Sequence, residues 1–286
     1  MRPRSEESRS SSNTRFFCFS PSTRHFPFEW HCHDHFELVC VLGGHGLRFV
    51  GDHMGGYDGA DLALIGPNLP HTYLSAPQPS GSSDQVVVIH FEDGFLRADQ
   101  SSYQEFEAID SLLAAARRGI SFGEGATKEA GDMMLQLPHL EPFERHVAVL
   151  RILHHLARSG SSTLLSSPGF KALRRMEDEG RVTRVCAEIH QRAREPVTLE
   201  QLAILAKMSP AAFSRFFKRA TGRTFTRYLN EVRVETACRL LVMTELSVTE
   251  ICYESGFRNV SNFNRRFLQI RSINPMEYRR QRRNAE

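Results

Sequence analysis

Two groups of side chains in this 286-residue chain have types and spacings that chemistry can use. The first is the run His31-Cys32-His33-Asp34-His35-Phe36-Glu37, which sets three imidazoles and a carboxylate at alternate positions. On a regular strand all four point to one face. Imidazole nitrogen with carboxylate oxygen is a donor set for Zn, Ni, Mn or Fe, and the same groups can hydrogen-bond a polar ligand or satisfy one another. The second group is spread over two stretches near the C-terminus: Ala211, Ser214, Arg215 and Lys218, then Ser261, Asn262, Asn264 and Arg265. An arginine can take guanine O6 and N7 in two bonds and an asparagine adenine N6 and N7, whereas a lysine on a phosphate positions without reading sequence. Other candidates are weaker. Cys32 and His31 are strand neighbours and point to opposite faces, so they make no dyad. His154 and His155 sit about 100° apart on a helix of 3.6 residues per turn, which suits a solvated or interface pair. The six cysteines form no CxxC pair, so neither a zinc ribbon nor a dense disulfide framework is indicated.

The second group needs helices, and the signals for them are dense. Thr198-Leu-Glu-Gln201 and Ser247-Val-Thr-Glu250 are capping boxes, in which the hydroxyl accepts from the N3 amide and the N3 side chain returns to the N-cap. Ser209-Pro210 and Asn274-Pro275 each supply an N-cap followed by proline at N1. The tail repeats itself at an offset near fifty: Leu202-Ala203 matches Ile251-Cys252, Phe213 matches Phe263, Arg215 matches Arg265, Phe217 matches Phe267, and Tyr228 matches Tyr278. Each copy is a short capped helix, a turn (Lys207-Met208-Ser209 or Ser255-Gly256-Phe257) and a second helix. The i, i+4 phenylalanines of that second helix fix one face to a core. Thr224 to Thr244 is an uninterrupted helical pattern of about 20 residues, hence about 30 Å long, close to one DNA turn of ~34 Å. The two second helices are therefore expected to face successive major grooves from one subunit.

The first group needs strands. Short apolar runs at Phe36 to Leu42, Leu47 to Val50, Asp61 to Ile65 and Gln85 to Phe91, separated by Gly43-Gly44, Gly55-Gly56, Gly66-Pro67 and Pro77 to Ser83, predict a β-sandwich or barrel. Helices are predicted over Tyr103 to Arg118 and up to Arg158, the latter with the stripe Phe143, Val147, Leu150, Leu153, Leu156. The Ser-rich stretch Ser159 to Gly169 has linker composition, and the charged run Lys171 to Arg181 suits a short connecting helix.

Charge divides the chain in the same place. Residues 181 to 286 hold 20 Lys+Arg against 10 Asp+Glu, a net +10, and the remainder is −7. Like charge concentrated in about 100 residues repels itself and is usually matched by a polyanion such as nucleic acid. Histidine is segregated the other way, 12 of the 13 lying no later than residue 155. Apolar runs fall far short of the roughly 18 residues a membrane helix requires, and the Arg- and Ser-rich N-terminus lacks the apolar segment of a secretory signal. A cytoplasmic protein without membrane partners is expected.

The C-terminal segment resembles the AraC/XylS family of bacterial transcription regulators, on Phe213-Ser-Arg-Phe-Phe-Lys218, Thr221-Gly222, Arg233, Ala237, Leu240-Leu241, Ser255-Gly-Phe257, Phe263, Phe267 and Pro275 to Arg279. Cys252 stands where that family usually has alanine, and Ser272 where it has glycine, a departure that bears on the turn geometry at residues 270 to 273. The pattern His31-x-His33-x3-Glu37-x6-Gly44 resembles the first motif of the cupin superfamily, and Gly59, Pro67, Pro70 and His71 resemble part of its second motif without the terminal asparagine. This resemblance implies an effector site, or a divalent metal site, of His31, His33, Glu37 and His71, with the turn Gly66 to Pro70 bringing His71 opposite the others. The run Gly59 to His71 is also similar to the barrel of sugar-responsive members.

The expected fold is a mixed α+β multidomain chain. It comprises a disordered arm (1–14), a cupin-like effector-binding β-barrel (15–100), a helical dimerisation segment (101–160), a linker (161–181) and an all-α domain with two helix-turn-helix motifs (182–286). The expected function is a transcription regulator and not an enzyme, binding double-stranded DNA as a homodimer in response to a small molecule such as a sugar, with RNA polymerase as a further partner if it activates. The alternative is a cupin metalloenzyme or metal sensor with a fused DNA-binding module.

Overall fold

The structure is a computed structural model that describes residues 16–19, 22–23, 26–75, 84–92, 103–170 and 176–283. The arm expected over residues 1–14 lies outside the described residues. The chain divides into two compact units, residues 1–172 and 173–286. Among the described residues no helix is long and apolar enough to cross a membrane.

The first unit is built on an antiparallel sheet of eight strands among the described residues: β1 Phe16–Phe19, β2 Ser22–Thr23, β3 Phe36–Val50, β4 His53–Ile65, β5 His71–Ser75, β6 Asp84–Phe91, β7 Ile120–Phe122 and β8 Ser162–Leu164. The long β3 organises it. One edge pairs with β4 from end to end, and the other pairs with β6 over Phe36 to Leu42 and with β5 over Gly46 to Val50. The apolar run at the start of β3 is continuous because both of its faces are buried. Phe36, Leu38 and Cys40 face outward with Leu62, Leu64, Val87, Ile89 and Phe91. Val39 and Val41 face inward with Ala63, Ile65, Tyr73, Val86 and Val88. By the two-residue period of a strand, Glu37, Asp61 and His90 share that inner face. Gly43-Gly44, expected to end a strand, is instead a bulge within β3: both glycines take positive φ, and pairing resumes at His45 against Asp58. Gly55-Gly56 likewise lies inside β4.

Helices α1 Glu107–Ala116, α2 Glu124–Gln136 and α3 Pro142–Arg158 cover the outer face with Ile109, Leu112, Leu113, Ala130, Met134, Val149, Ile152, Leu153 and Leu156. The stripe predicted for α3 splits. Leu153 and Leu156 are buried, whereas Phe143 and Val147 are exposed at 78% and 39%. The expected linker of 161–181 is corrected over its first part. Ser162–Leu164 pairs with β7 and Leu165 joins the inner core, because Thr163, Leu164 and Leu165 suit a strand once β7 offers an edge. Beyond it, helix α4 already begins at Met176 and runs to Gln191.

The second unit is all helical among its described residues: after α4 come α5 Leu199–Leu205, α6 Pro210–Thr221, α7 Phe225–Met243, α8 Val248–Glu254, α9 Val260–Arg271 and α10 Pro275–Arg283. Both capping boxes form, on Thr198 with Gln201 and on Ser247 with Glu250. Ser209 caps α6 and Asn274 accepts from the Glu277 amide at 2.9 Å at the start of α10. The duplication extends into packing. Phe217 meets Tyr228 edge-on at 5.3 Å and 89°, and Phe267 meets Tyr278 at 5.6 Å and 81°.

Candidate effector site and nucleic-acid interface

The histidine run is not one regular strand. His31 is held by an isolated bridge to His71, exchanging amide bonds of 3.2 and 2.9 Å with it, residues 34–35 bend, and β3 starts only at Phe36. The Asn68 amide donates to the His33 carbonyl at 2.7 Å, with Asn68 itself at φ 59°, so the turn between β4 and β5 wraps along the 31–33 segment. These contacts bring His31, His33, Glu37 and His71 together, each offering a ligand atom within 4.8 Å of the others. His35 lies on the same side and stacks on His33 at 3.9 Å and 5°. His90, which sequence reasoning did not include, completes the cluster. It sits opposite Glu37 in the β3–β6 register and its Nε2 is 2.8 Å from Glu37 Oε2.

Glu37 is the hub. Its Oε2 has His90 Nε2 at 2.8 Å, His33 Nε2 at 3.0 Å and His71 Nε2 at 3.4 Å. Burial pushes the Glu37 carboxyl up, but the His71 charge and the hydrogen bonds from the imidazoles outweigh it and hold the group well below the usual carboxylate range. His71 is raised: burial opposes its charge, and the Glu37 carboxylate more than compensates. His31 falls to about 4, through burial and then the His71 charge. Three of the rings are anchored alike. The Nδ1 hydrogens of His31, His33 and His71 donate to the carbonyls of Glu29, His35 and Leu69 at 2.8, 3.0 and 2.8 Å. A carbonyl only accepts, so each Nδ1 is committed and each Nε2 is the nitrogen left for a ligand. This is the outer support that orients metal-binding histidines, and the donor set fits a divalent cation of the zinc or nickel type.

A second polar group lies on the inner face. Arg48 pairs with Asp61 through Nη1, and Tyr73 donates to the other Asp61 oxygen at 2.7 Å. Nothing in the local sequence signals this, because the three residues meet only through the β3–β4 and β3–β5 pairings.

In the second unit, the two helices α6 and α9 bury Phe213, Phe216, Phe217 and Ala220, and Phe263 and Phe267. Phe216 adds to the phenylalanines expected inside. Ala211, Ser214, Arg215 and Lys218 on α6 are exposed, as are Ser261, Asn264 and Arg265 on α9, with Asn262 half-buried. Arg265 donates to Asn262 Oδ1 at 3.1 Å, which fixes the guanidinium along the helix surface. Several cations of this basic unit are structural. Arg233 donates to the carbonyls of Ala193 and Glu195, Arg279 to those of Leu241 and Leu246, and Arg223 and Arg227 pair with Glu231. Arg219 and Arg258, exposed on α6 and just before α9, are interface candidates that the sequence reading omitted.

Residues 202–281 match the family described as a helix-turn-helix domain, and residues 14–117 match the AraC-like ligand binding domain. An uncharacterized HTH-type transcriptional regulator of Bacillus subtilis (strain 168), YdeC, is 32% identical over 263 residues, 90% of this chain and 87% of that protein. The chain belongs to the AraC family of transcription regulators. Another AraC-family relative, the HTH-type transcriptional activator RhaS of Enterobacter sp. (strain 638), is 23% identical across 88% of this chain and 87% of its own length. Among solved structures, the DNA-binding domain of AdpA in complex with a target DNA is 30% identical over 37% of this chain and 96% of its own, with a TM-score of 0.36. Membership in the AraC family makes the protein a DNA-binding regulator and not an enzyme, with a ligand-binding domain ahead of its two helix-turn-helix units.

Proposed function

We propose that this regulator responds to a small molecule or ion held on the inner face of its N-terminal sheet, and reads its operator with the exposed faces of α6 and α9. The observation that carries the first half is the His31, His33, Glu37, His71 cluster, whose rings are oriented before any ligand arrives. A divalent metal is the form of effector favoured by the committed Nδ1 hydrogens. In that form the four residues hold the ion, which supplies charge and bonds tying β5 to β3. The Arg48–Asp61–Tyr73 group favours a second form, a polar organic effector such as a sugar, hydrogen-bonded beside the cluster. Either must bind two states of the protein differently to shift promoter occupancy.

On DNA, Arg215, Arg265, Asn262 and Asn264 read bases, Lys218 takes phosphate, and Ala211, Ser214 and Ser261 lie against the groove. The protein acts in the cytoplasm as a homodimer joined through its N-terminal unit, where Phe143 and Val147 of α3 leave apolar surface uncovered, and it engages RNA polymerase where it activates.

The test is a thermal-shift screen of the full chain against sugars and divalent metals, since a ligand of the folded form alone raises Tm. DNA affinity is followed alongside. The expected result is a shift that His33→Ala removes while basal DNA affinity persists and falls steeply with salt. A full shift in His33→Ala places the effector elsewhere, and DNA binding indifferent to salt removes the argument from charge.

A further inference from the structure

The cluster holds more imidazoles than its motif requires. His35 and His90 lie outside the pattern of His31, His33, Glu37 and His71, yet they and His33 offer ligand atoms within 4.8 Å of one another. The three rings form a compact triangle: His33 to His35 at 3.9 Å, His35 to His90 at 4.6 Å and His33 to His90 at 5.0 Å. His35 Nδ1 is anchored, 3.2 Å from Asp34 Oδ1, while its Nε2 is buried with no hydrogen-bond partner among the described residues. A buried nitrogen without a partner costs free energy, and a cation beside it removes that cost. His90 comes from β6, paired opposite Glu37, whereas His71 comes from β5 and is bridged to His31.

We infer that a divalent transition-metal ion has a second position in this domain, bound by His33, His35 and His90, adjacent to the position formed by His31, His33, Glu37 and His71. This rests on the metal form of the proposed function. The two positions exclude each other. His33 belongs to both, and its Nδ1 is committed to the His35 carbonyl, so one Nε2 lone pair serves one ion at a time. With the ion in the second position Glu37 remains paired with His71, and with the ion in the first that pairing is replaced by metal bonds. The position of one ion therefore decides what joins the start of β5 to the start of β3.

The experiment uses the full chain and Co2+ alone as the probe, read by calorimetry for stoichiometry and by its visible absorption for the ligand set. The wild type is expected to bind one Co2+. The variant His31→Ala/His71→Ala, which dismantles the first position, is expected to bind one Co2+ with a changed absorption spectrum. Adding His35→Gln or His90→Gln to it is expected to weaken binding at least tenfold. Each variant is checked for a cooperative thermal transition, and asparagine replaces alanine at 31 and 71 if the transition is lost. Loss of Co2+ binding in the double variant, or no further weakening in either triple variant, overturns the second position and leaves the first intact. Two ions per wild-type chain overturn the exclusion. A wild type that binds no Co2+ removes the metal form of the proposed function together with this inference.

Discussion

The turn of each helix-turn-helix unit places one residue in the left-handed region, and the two copies solve the problem with different residues. In the first copy it is Lys207 at φ 56°, with Met208 N–H donating to the Ala203 carbonyl at 2.9 Å. In the second it is Gly256 at φ 91°, with Phe257 N–H donating to the Cys252 carbonyl at 3.0 Å. Both are the glycine-type helix ending with a 6→1 bond, so each copy is a control for the other. A side chain in this conformation costs about 1–2 kcal/mol, and glycine returns about 0.5–1 kcal/mol of that as lost backbone entropy. Lys207→Gly should therefore stabilise the protein by about 0.5–1 kcal/mol. Gly256→Ala should do more than reverse this. A Cβ at Gly256 would lie 2.5 Å from the Ala193 carbonyl oxygen, 2.8 Å from Arg194 Cα and 3.0 Å from Arg233 Nε. Two of these are backbone, and the third belongs to the arginine that donates to that same carbonyl at 2.7 Å. Overpacking of this kind adds about 1–3 kcal/mol, which with the net conformational cost of about 0.5–1 kcal/mol gives a total of about 1.5–4 kcal/mol. Urea denaturation of the full chain, followed by helical circular dichroism, measures both changes. The DNA affinity of Gly256→Ala should fall with them, because the displaced Arg233 joins the end of α4 to α7. A Gly256→Ala protein as stable as the wild type would refute the steric argument, and a Lys207→Gly protein that is destabilised would refute the conformational one.

Ser272 repeats the problem at the end of α9, at φ 61° where the first copy has Gly222 at φ 70°. Ser272→Gly should raise stability by about 0.5–1 kcal/mol in the same denaturation assay. Burial lowers His190 to about 3, and its Nε2 accepts from the Tyr228 hydroxyl at 2.9 Å. The unfolded state therefore gains a proton near pH 6.5 that the folded state refuses, so stability falls as pH drops from about 6.5 toward about 3, by up to ~1.4 kcal/mol per pH unit. His190→Gln should lose about 1–2 kcal/mol less than the wild type between pH 6.5 and 5; parallel curves would show that His190 titrates normally. Arg215→Ala and Arg265→Ala should each lose about 1–3 kcal/mol of discrimination at one base position in a binding-site selection. Lys218→Ala should weaken all sequences nearly equally, and unchanged base preferences in both arginine variants would make those residues phosphate contacts or bystanders.

The second unit was legible almost throughout because its determinants are local. Capping residues, proline at N1 and phenylalanines four apart act within one helix, and Thr198, Ser209, Ser247 and Asn274 stand where these signals put them. The first unit was legible only in outline. β1, β2, β5, β7, β8 and α2 were missed: the strands are short and depend on partners far away in sequence, and α2 carries Gly125 and Gly131 in a sparse apolar pattern. The grouping of His31, His33, Glu37 and His71 was anticipated from motif spacing, and the Asn68 turn supplies the physical means. His90 was invisible because its link to Glu37 is a cross-strand register, which linear spacing does not encode.

Helix α7, 19 residues and about 28 Å long, joins two reading units that are similar but not identical. Symmetric dimers whose subunits carry one reader each call for palindromic sites. On the reading proposed above, a single subunit carries two readers, Arg215 with Ser214 in one and Arg265 with Asn262 and Asn264 in the other, in a fixed order along a covalent ruler. Its site is consequently asymmetric, and a bound subunit points one way along the duplex. Inverting such a site turns the bound helix-turn-helix pair end for end, so a promoter served by this protein has a left and a right before any second subunit arrives.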